Sequence, residues 1–455
     1  MKNPLPWILA ADAARRLGRH EDSSAALERA SALSPGDEET LLALGASFLR
    51  GGRAGEALET FKKVLRRRPE DPGVHYHLGL AYLEVGENNR AQDEFRMVQS
   101  ARPEYPGILL RTGVAQMRLG RALGAIESFR MAATSDPADP EAHFLLGEVF
   151  LDLGRGQDAA AAYREALRID PGYADAHAGL GLACRDLGWL QEAVRSFQDV
   201  ARLRPADSMA MRNMGLVLDR MGKAREAVEA FQKAVAIRPE DVEAHFQIGA
   251  VSRKIEDLEG AERAFRRVVE LRPRDAEAFG HLGFLCRDLG RKEESVAAFL
   301  EVTRIREHDA QAFNNLGNAL VVAGRDESAA LAFGRAAALR PDYAEALVNL
   351  GTSQRRLGRL EDAMKSLQAA IAALPEHPRA HLMLGATLLT MEKYGEAAPA
   401  LKKALELQPD NPEGHYLMGM LLLKVADRNG AFAEYKILKP LHEEMAERLF
   451  KEIYG

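Results

Sequence analysis

The chain has 455 residues, of which 47% are hydrophobic and 28% are charged, and its formal net charge is -6. This balance is typical of a folded chain and excludes an intrinsically disordered one. The acidic excess argues against a nucleic-acid partner, because proteins that bind nucleic acids carry a basic surface. No stretch approaches the roughly 18 consecutive apolar residues of a membrane span. We therefore expect no membrane segment and a cytoplasmic location.

A glycine recurs every 34 residues from Gly45 to Gly419. If each repeat begins seven residues before its glycine, thirteen contiguous repeats cover residues 4–445. Their first residues are 4, 38, 72, 106, 140, 174, 208, 242, 276, 310, 344, 378 and 412. A fixed period of this length predicts a stack of helical repeats with no single central core.

The first half of each repeat predicts an α-helix. Positions 4, 7, 8 and 11 of the repeat are apolar or small, as in Phe313, Leu316 and Leu320, and this spacing lies on one helical face. A second glycine at position 15, such as Gly324, is suited to the left-handed cap that ends a helix.

The second half of each repeat predicts another helix. It has alanine at position 20 and, in ten repeats, an aromatic residue at position 24, as in Ala329 and Phe333. Proline at position 32, such as Pro341, ends this helix. An aspartate at position 34, such as Asp37 or Asp275, can cap the next helix. Small residues at positions 8 and 20 let the paired helices approach closely, and the aromatic ring fills the space between neighbouring repeats.

The ends of the chain depart from the pattern. The first repeat has Ala11 where glycine is usual, which fits an N-terminal capping repeat. The last repeat ends early at Pro440, and apolar residues from Leu441 to Ile453 then recur every four positions. We expect residues 440–455 to form an amphipathic helix that covers the last apolar face. Glu307 stands where the ninth repeat would usually have proline. The substitution is interpreted either as ordinary sequence drift or as the mark of a flexible joint in the stack.

The recurring Leu, Gly, Ala, aromatic, Ala and Pro positions resemble the tetratricopeptide repeat (TPR) family over residues 4 to about 445. The resemblance implies an all-α, right-handed superhelical solenoid of helix-turn-helix repeats. It also implies that a face of the first helices, with positions 2, 5, 9, 12 and 13, binds an extended peptide or a partner helix.

No catalytic motif accompanies the repeats, so we predict a non-enzyme with no cofactor and no bound metal. Histidines such as His75 and His143 occupy position 4, where core residues stand in other repeats. Cys184 and Cys286 lie three repeats apart, too far for a disulfide, and are interpreted as core residues.

Apolar residues stand on the expected binding face in repeats two to five. The candidate contacts there are Tyr76, Leu83, Met117 and Phe144. An exposed apolar strip of this kind indicates a partner or another copy of the chain. Curvature of the solenoid could instead bury these residues between neighbouring first helices, and the sequence leaves both alternatives open.

Repeats six to eleven replace this strip with basic and amide residues. The candidate contacts are Arg212, Asn213, Arg220, Gln247, Arg253, Lys254, His281, Arg287, Asn314, Asn315, Asn318, Asn349, Arg355 and Arg356. Amides can bond the backbone of a peptide, and arginine can bond a carboxylate with two parallel hydrogen bonds. The alternative is a solvated face on which nearby aspartates neutralise the arginines.

Three functions remain open at this point. We favour a non-catalytic scaffold or adaptor, bacterial and cytoplasmic, that binds a protein or peptide with acidic side chains. A self-assembling structural protein, hence a homo-oligomer, is the second possibility. The third is the targeting subunit of a separately encoded enzyme or export complex.

Overall fold

The computed structural model describes residues 3–455, which form 27 α-helices and no strand. The chain divides into two compact units, residues 1–237 and 238–455. The first unit has α1 Leu5–Arg16, α2 His20–Leu33, α3 Glu38–Arg50, α4 Ala54–Leu65, α5 Pro72–Glu84, α6 Asn88–Ala101, α7 Ile108–Arg118, α8 Ala122–Ser135, α9 Pro140–Asp152, α10 Gly156–Ile169, α11 Ala174–Leu187, α12 Leu190–Leu203, α13 Ser208–Arg220 and α14 Ala224–Ile237.

The second unit continues the same alternation of helices. It has α15 Val242–Lys254, α16 Leu258–Leu271, α17 Ala276–Asp288, α18 Lys292–Ile305, α19 Ala310–Val322, α20 Asp326–Leu339, α21 Ala344–Arg356, α22 Leu360–Ala373, α23 Pro378–Thr390, α24 Tyr394–Leu407, α25 Pro412–Lys424, α26 Arg428–Leu441 and α27 Glu443–Tyr454. Within each unit, consecutive helices pair and each pair packs on the next. The prediction of an all-α solenoid of helix pairs is confirmed.

The glycine at position 8 lets the two helices of a repeat touch. A Cβ atom on Gly283 would lie 2.6 Å from the Phe299 ring, which belongs to the second helix of the same repeat. The corresponding glycine meets an aromatic ring in repeats two to ten, and it meets Leu367 and Leu401 in repeats eleven and twelve. The pairing of a bare backbone with a large side chain therefore sets the distance between the helices.

The turn inside each repeat requires a left-handed backbone at position 15. Gly290 has φ 75°, and the same conformation recurs where the sequence has no glycine. Glu256, Glu392 and Ala426 have φ of 62°, 60° and 63°. This left-handed backbone conformation is unfavourable for residues that have a Cβ atom. The three residues adopt it because the two helices that flank the turn impose it.

The turns between repeats follow the expected chemistry with one exception. Asp241 and Asp275 each accept a hydrogen bond from a backbone N–H in the first turn of the next helix. Asp37 makes no such cap and instead accepts the hydroxyl hydrogen of Thr40, so the expected cap is wrong there. α18 ends two residues before Glu307, as most second helices end two residues before their proline. The usual turn bond, from Asp309 N–H to the Arg306 carbonyl at 3.1 Å, is kept.

Histidine at position 4 makes a contact that holds the turn before it. A ring nitrogen of His75 donates to the carbonyl oxygen of Pro69 at 2.9 Å, and the other ring nitrogen lies 2.6 Å from the Glu94 carboxylate. His245 bonds the carbonyl of Pro239 in the same way at 3.0 Å. These rings are structural, as expected, and each one ties a first helix to the turn that precedes it.

The C-terminal helix α27 covers the last repeat. Leu449 and Ile453 are fully buried, and Leu449 rather than an aromatic ring of α26 lies against Gly419. The sequence placed the end of the last repeat at Pro440, but α26 continues through this proline to Leu441. Pro440 has no N–H to donate to the Lys436 carbonyl, and the helix ends one residue later.

Candidate partner-binding face

We use the term first-helix face for the side chains at positions 2, 5, 6, 9, 12 and 13 of the first helices. Exposure along this face follows the position in the repeat. On α17, Glu277 and Asp288 at the two ends are exposed, whereas His281 and Phe284 between them are half-buried. The face therefore has charged edges and a partly apolar middle.

The apolar strip of the first unit is mostly packed. Leu83 is only 4% exposed and belongs to the core. For this residue the alternative of burial between first helices is correct, and the prediction that it lies on an exposed strip is wrong. Tyr76, Met117 and Phe144 remain half-buried. The ring of Tyr76 lies 4.9 Å from that of Tyr105. The strip is therefore narrower than the sequence indicated, and three of its four candidates keep some accessible surface.

Two of the predicted amides bond each other instead of facing a groove. The Asn349 amide donates to the side-chain oxygen of Asn314 at 3.1 Å, and Arg379 donates to the Asn349 oxygen at 3.2 Å. Asn314 is 2% exposed and Asn349 is 6% exposed. The expectation that these two amides grip a peptide backbone is wrong, because their hydrogen bonds join neighbouring repeats. Asn318 stays half-buried beside them.

The basic candidates of the first unit also contact the repeat before them. The exposed Arg220 donates to the Arg185 carbonyl oxygen at 2.8 Å, and Arg185 in turn lies 3.4 Å from the Asn213 side-chain oxygen. Arg212 is half-buried on the same helix. Arg220 therefore satisfies a carbonyl at the end of a neighbouring helix, a role that the sequence did not reveal.

A cavity of about 410 Å³ opens on the first-helix face of the second unit, bounded by α15, α17, α18 and α19. It brings together Arg253, His281, Arg287 and Asn315 of the predicted residues. The rest of its lining is Ala276, Glu277, Gly280, Phe284, Phe299, Val302, Arg306, Asp309, Gln311 and Ala312.

The charged groups of the cavity differ in their pairing. In the part of the chain that the structure describes, no ion pair to Arg253 is found. Arg287 lies 2.9 Å from Asp288 on its own helix and stacks over the Phe284 ring at 5.3 Å. Arg306 and Asp309 lie 3.8 Å apart on the far side. Arg253 is thus the guanidinium in the cavity that remains available to a ligand.

His281 forms part of the cavity wall as a neutral ring. It stacks on Phe265 with a centroid distance of 4.7 Å. Burial, reinforced by the charge of Arg253, lowers the pKa of His281. Its Nδ1 atom is buried and makes no hydrogen bond with any residue in the described range 3–455.

The remaining predicted residues of the second unit lie outside this cavity. Gln247 donates to Glu243 at 3.3 Å, and Lys254 is exposed at the end of the same helix. Arg356 pairs with Asp326 at 3.2 Å. Arg355 is half-buried, and its Nε atom has no hydrogen-bond partner among residues 3–455.

Sequence reasoning missed several residues of the cavity. Phe284 stands at position 9, a position already assigned to the binding face, and so could have been found. Gln311 accepts from the Tyr343 hydroxyl at 2.6 Å and donates to Asn315 at 3.0 Å, which orients both amides. Arg306 lies in a turn and is brought to the cavity only by the stacking of repeats.

One group of side chains has the composition of a metal site but is already neutralised. Ligand atoms of Glu262, Cys286 and Glu294 lie within 4.8 Å of one another. Arg291 bonds both oxygens of the Glu262 carboxylate at 2.6 and 2.7 Å, and Arg266 bridges Glu262 and Glu294. Burial raises the pKa of the Cys286 thiol, which further disfavours a thiolate ligand. These residues do not fit a cation.

None of the helices in residues 3–455 combines the length and apolar character needed to cross a bilayer. A family model described as tetratricopeptide repeat matches the chain in overlapping segments. The segments are residues 8–72, 76–140, 132–174, 144–208, 212–276, 253–310, 287–344, 314–378, 348–412 and 382–435. No protein with a curated description matches the chain.

Three solved structures of similar architecture each cover part of the chain. A crystal structure of MamA is 26% identical, covers 36% of this chain and 97% of its own, and superposes with a TM-score of 0.35. The C-terminal part of a TPR repeat-containing protein from Cytophaga hutchinsonii is 18% identical over 52% of this chain and 98% of its own, with a TM-score of 0.47. YrrB, described as a TPR protein with an unusual peptide-binding site, is 20% identical over 41% of this chain and 96% of its own, with a TM-score of 0.36.

Proposed function

The chain belongs to the tetratricopeptide repeat family, and we propose that it is a non-catalytic scaffold that binds a segment of another protein on its first-helix face. The cavity beside Arg253 carries the proposal. It has a partly apolar floor, a guanidinium without an ion pair and a half-buried imidazole, a combination typical of binding sites. Binding of an extended or helical segment needs no reactive group, only a shaped surface that stays open in the free protein.

The other candidate residues extend the proposed contact surface. In the second unit, Lys254, Arg355 and Arg356 extend the contact surface for acidic side chains of the partner, and Arg356 would exchange its ion pair with Asp326 for one of them. In the first unit, Tyr76, Met117 and Phe144 offer half-buried apolar surface. The proposal includes the division into thirteen repeats. It also includes a bacterial, cytoplasmic setting, since both cysteines are free and the repeats are rich in alanine and arginine.

A photo-crosslinking experiment on the full chain tests the scaffold. The photoreactive p-benzoylphenylalanine replaces Phe284 in the cavity, and in a control protein it replaces Leu331, which is 76% exposed on the second helix α20. We expect crosslinking from position 284 to a defined segment of one protein of the source cell, identified by mass spectrometry. Equal crosslinking from both positions, or none from position 284, contradicts the proposal.

Self-association is a second candidate because an aromatic group lies at the C-terminal end of the second unit. Phe432, Tyr435, Phe450 and Tyr454 contact one another, and Phe450 and Tyr454 are 41% and 62% exposed. Exposed aromatic clusters of this kind commonly mark an interface.

Light scattering distinguishes this candidate from the scaffold. If the aromatic group joins two copies, the mass rises with concentration, and the paired change Phe450→Glu and Tyr454→Glu removes the rise. Leu331→Glu is the matched control on α20. A constant mass for the wild-type chain excludes self-association through this surface.

A further inference from the structure

The two edges of the cavity in the second unit carry opposite charges. Arg253 and Arg287 stand near the C-terminal ends of α15 and α17, whereas Glu277 is the second residue of α17. Glu277 and Arg287 are ten residues apart on α17, and Arg253 stands on α15 at the same repeat position as Arg287, so the two edges are about 15 Å apart along the helix axis. A ligand that crosses the first-helix face there meets positive charge on one side and negative charge on the other.

The charges at both edges are open to a ligand. Arg253 has no ion pair in the described residues, and Glu277 is exposed. Both charges act on His281 between them, since Arg253 lowers and Glu277 raises the pKa of this ring. The third arginine, Arg306, faces Asp309, so it adds little net charge.

The middle of the cavity is apolar and has room. Phe284 and Phe299 meet edge to face at 5.0 Å, and Val302 lies beside them. A Cβ atom on Gly280 would have no neighbour within 4 Å, so the backbone of α17 is approachable at this point. An apolar side chain of the ligand would be desolvated here, between the two charged edges.

We propose that this cavity binds a protein segment with an acidic and a basic residue on either side of an apolar one. The acidic residue pairs with Arg253, the apolar side chain packs on Phe284, and the basic residue pairs with Glu277. An extended chain advances about 3.3 Å per residue, so a 15 Å separation corresponds to four or five residues. This inference rests on the proposed function, because it names the chemistry of the partner at the same face.

A phage-displayed library of random 12-residue peptides, selected on the full chain, tests the charge pattern. From wild-type protein we expect enrichment of peptides in which an acidic and a basic residue lie four or five positions apart around an apolar residue. Arg253→Glu makes both edges negative and should shift selection to two basic residues. Glu277→Arg makes both edges positive and should shift it to two acidic residues. Each shift should be about fivefold, the strength of an exposed ion pair.

The expected charge patterns do not depend on the direction in which a peptide binds, because each variant gives both edges the same sign of charge. Arg304→Glu, on the outer surface of α18, is the matched charge reversal and should leave the selected pattern unchanged. If peptides are enriched without a charge pattern, or if Arg253→Glu and Glu277→Arg leave it unaltered, this inference is wrong while the scaffold stands. In that case the charged residues at the two edges interact favourably only with the dipoles of their own helices. If no peptide is enriched on any variant, both the inference and the scaffold are contradicted.

Discussion

The contact between Gly283 and Phe299 leaves no room for a methyl group. We expect Gly283→Ala to lower the free energy of unfolding by about 1–3 kcal/mol, because the ring must move to admit the Cβ atom. Gly280, one turn away on the same helix, has open space at that point. Gly280→Ala should therefore raise stability by about 1 kcal/mol through helix propensity alone. Denaturant unfolding followed by circular dichroism measures both, and a change of the same sign for the two variants contradicts this account.

The left-handed residues that are not glycine predict a substitution that stabilises the protein. Glu256→Gly should raise the free energy of unfolding by about 1 kcal/mol, because glycine adopts φ 62° without a steric cost. The same change at an exposed position in the middle of α14, Glu229→Gly, should lower it by about 1 kcal/mol. Unfolding midpoints of the two variants must move in opposite directions if the backbone conformation is the cause.

Two half-buried histidines make the stability of the fold sensitive to acid. Burial, helped by Arg50, lowers the pKa of His77, and burial with Arg253 lowers that of His281. As the pH falls below about 6.5, the unfolded chain takes up protons that the folded chain refuses, so stability present above this pH is lost.

Replacement of these rings tests the pH dependence. The variant with His77→Gln and His281→Gln should lose less stability between about pH 7.5 and pH 5 than the wild type loses. His308→Gln, at an exposed turn position, is the control and should behave like the wild type. Equal acid sensitivity of all three proteins would show that the two rings are not responsible.

The sequence identified the residues that set the distance between paired helices, but it did not identify the residues that form hydrogen bonds between neighbouring repeats. The period located the small residues at positions 8 and 20 and the rings at position 24, but it placed the rings between repeats and did not reveal that each glycine lies against the ring of its own repeat. The Asn314–Asn349 bond and the contact from His75 to Pro69 depend on how consecutive repeats are rotated, which no single repeat encodes. The distinction between a groove residue and a core residue, as for Leu83, depends on that same rotation.

At the scale of the element, α27 replaces the neighbour that every other repeat has. Leu449→Ala should destabilise the last repeat by about 3 kcal/mol, because it removes the side chain that lies on Gly419. The adjacent Phe450 is 41% exposed, so Phe450→Ala should cost less than about 1 kcal/mol. Hydrogen exchange of α25 and α26 should accelerate in the first variant only. Acceleration in both would indicate that α27 detaches as a whole.

The amphipathic pattern from Leu441 to Ile453 was sufficient to predict this helix. It could not reveal that α26 passes through Pro440, since proline in a final turn and proline after a helix look alike in sequence. It also could not place Leu449 on Gly419, because α26 supplies an aromatic residue, Tyr435, at the expected position.

For the whole molecule, contacts between successive helices predict that damage stays local. Within each unit, helices pack on their neighbours along the chain, so stability is close to a sum over adjacent repeats. Gly283→Ala should therefore speed hydrogen exchange in α16 to α19 and leave α3 to α6 unchanged, as measured by mass spectrometry. Faster exchange throughout the chain would indicate a single cooperative core.

This pattern of contacts also bears on synthesis. A helix that packs on helices one or two places away along the chain finds its partners soon after they leave the ribosome. Each repeat can then be completed while the remainder of the chain is still being translated, without waiting for a distant strand or domain. A newly made repeat exposes its apolar edge only until the next one arrives, and α27 closes the edge of the thirteenth repeat in the same way.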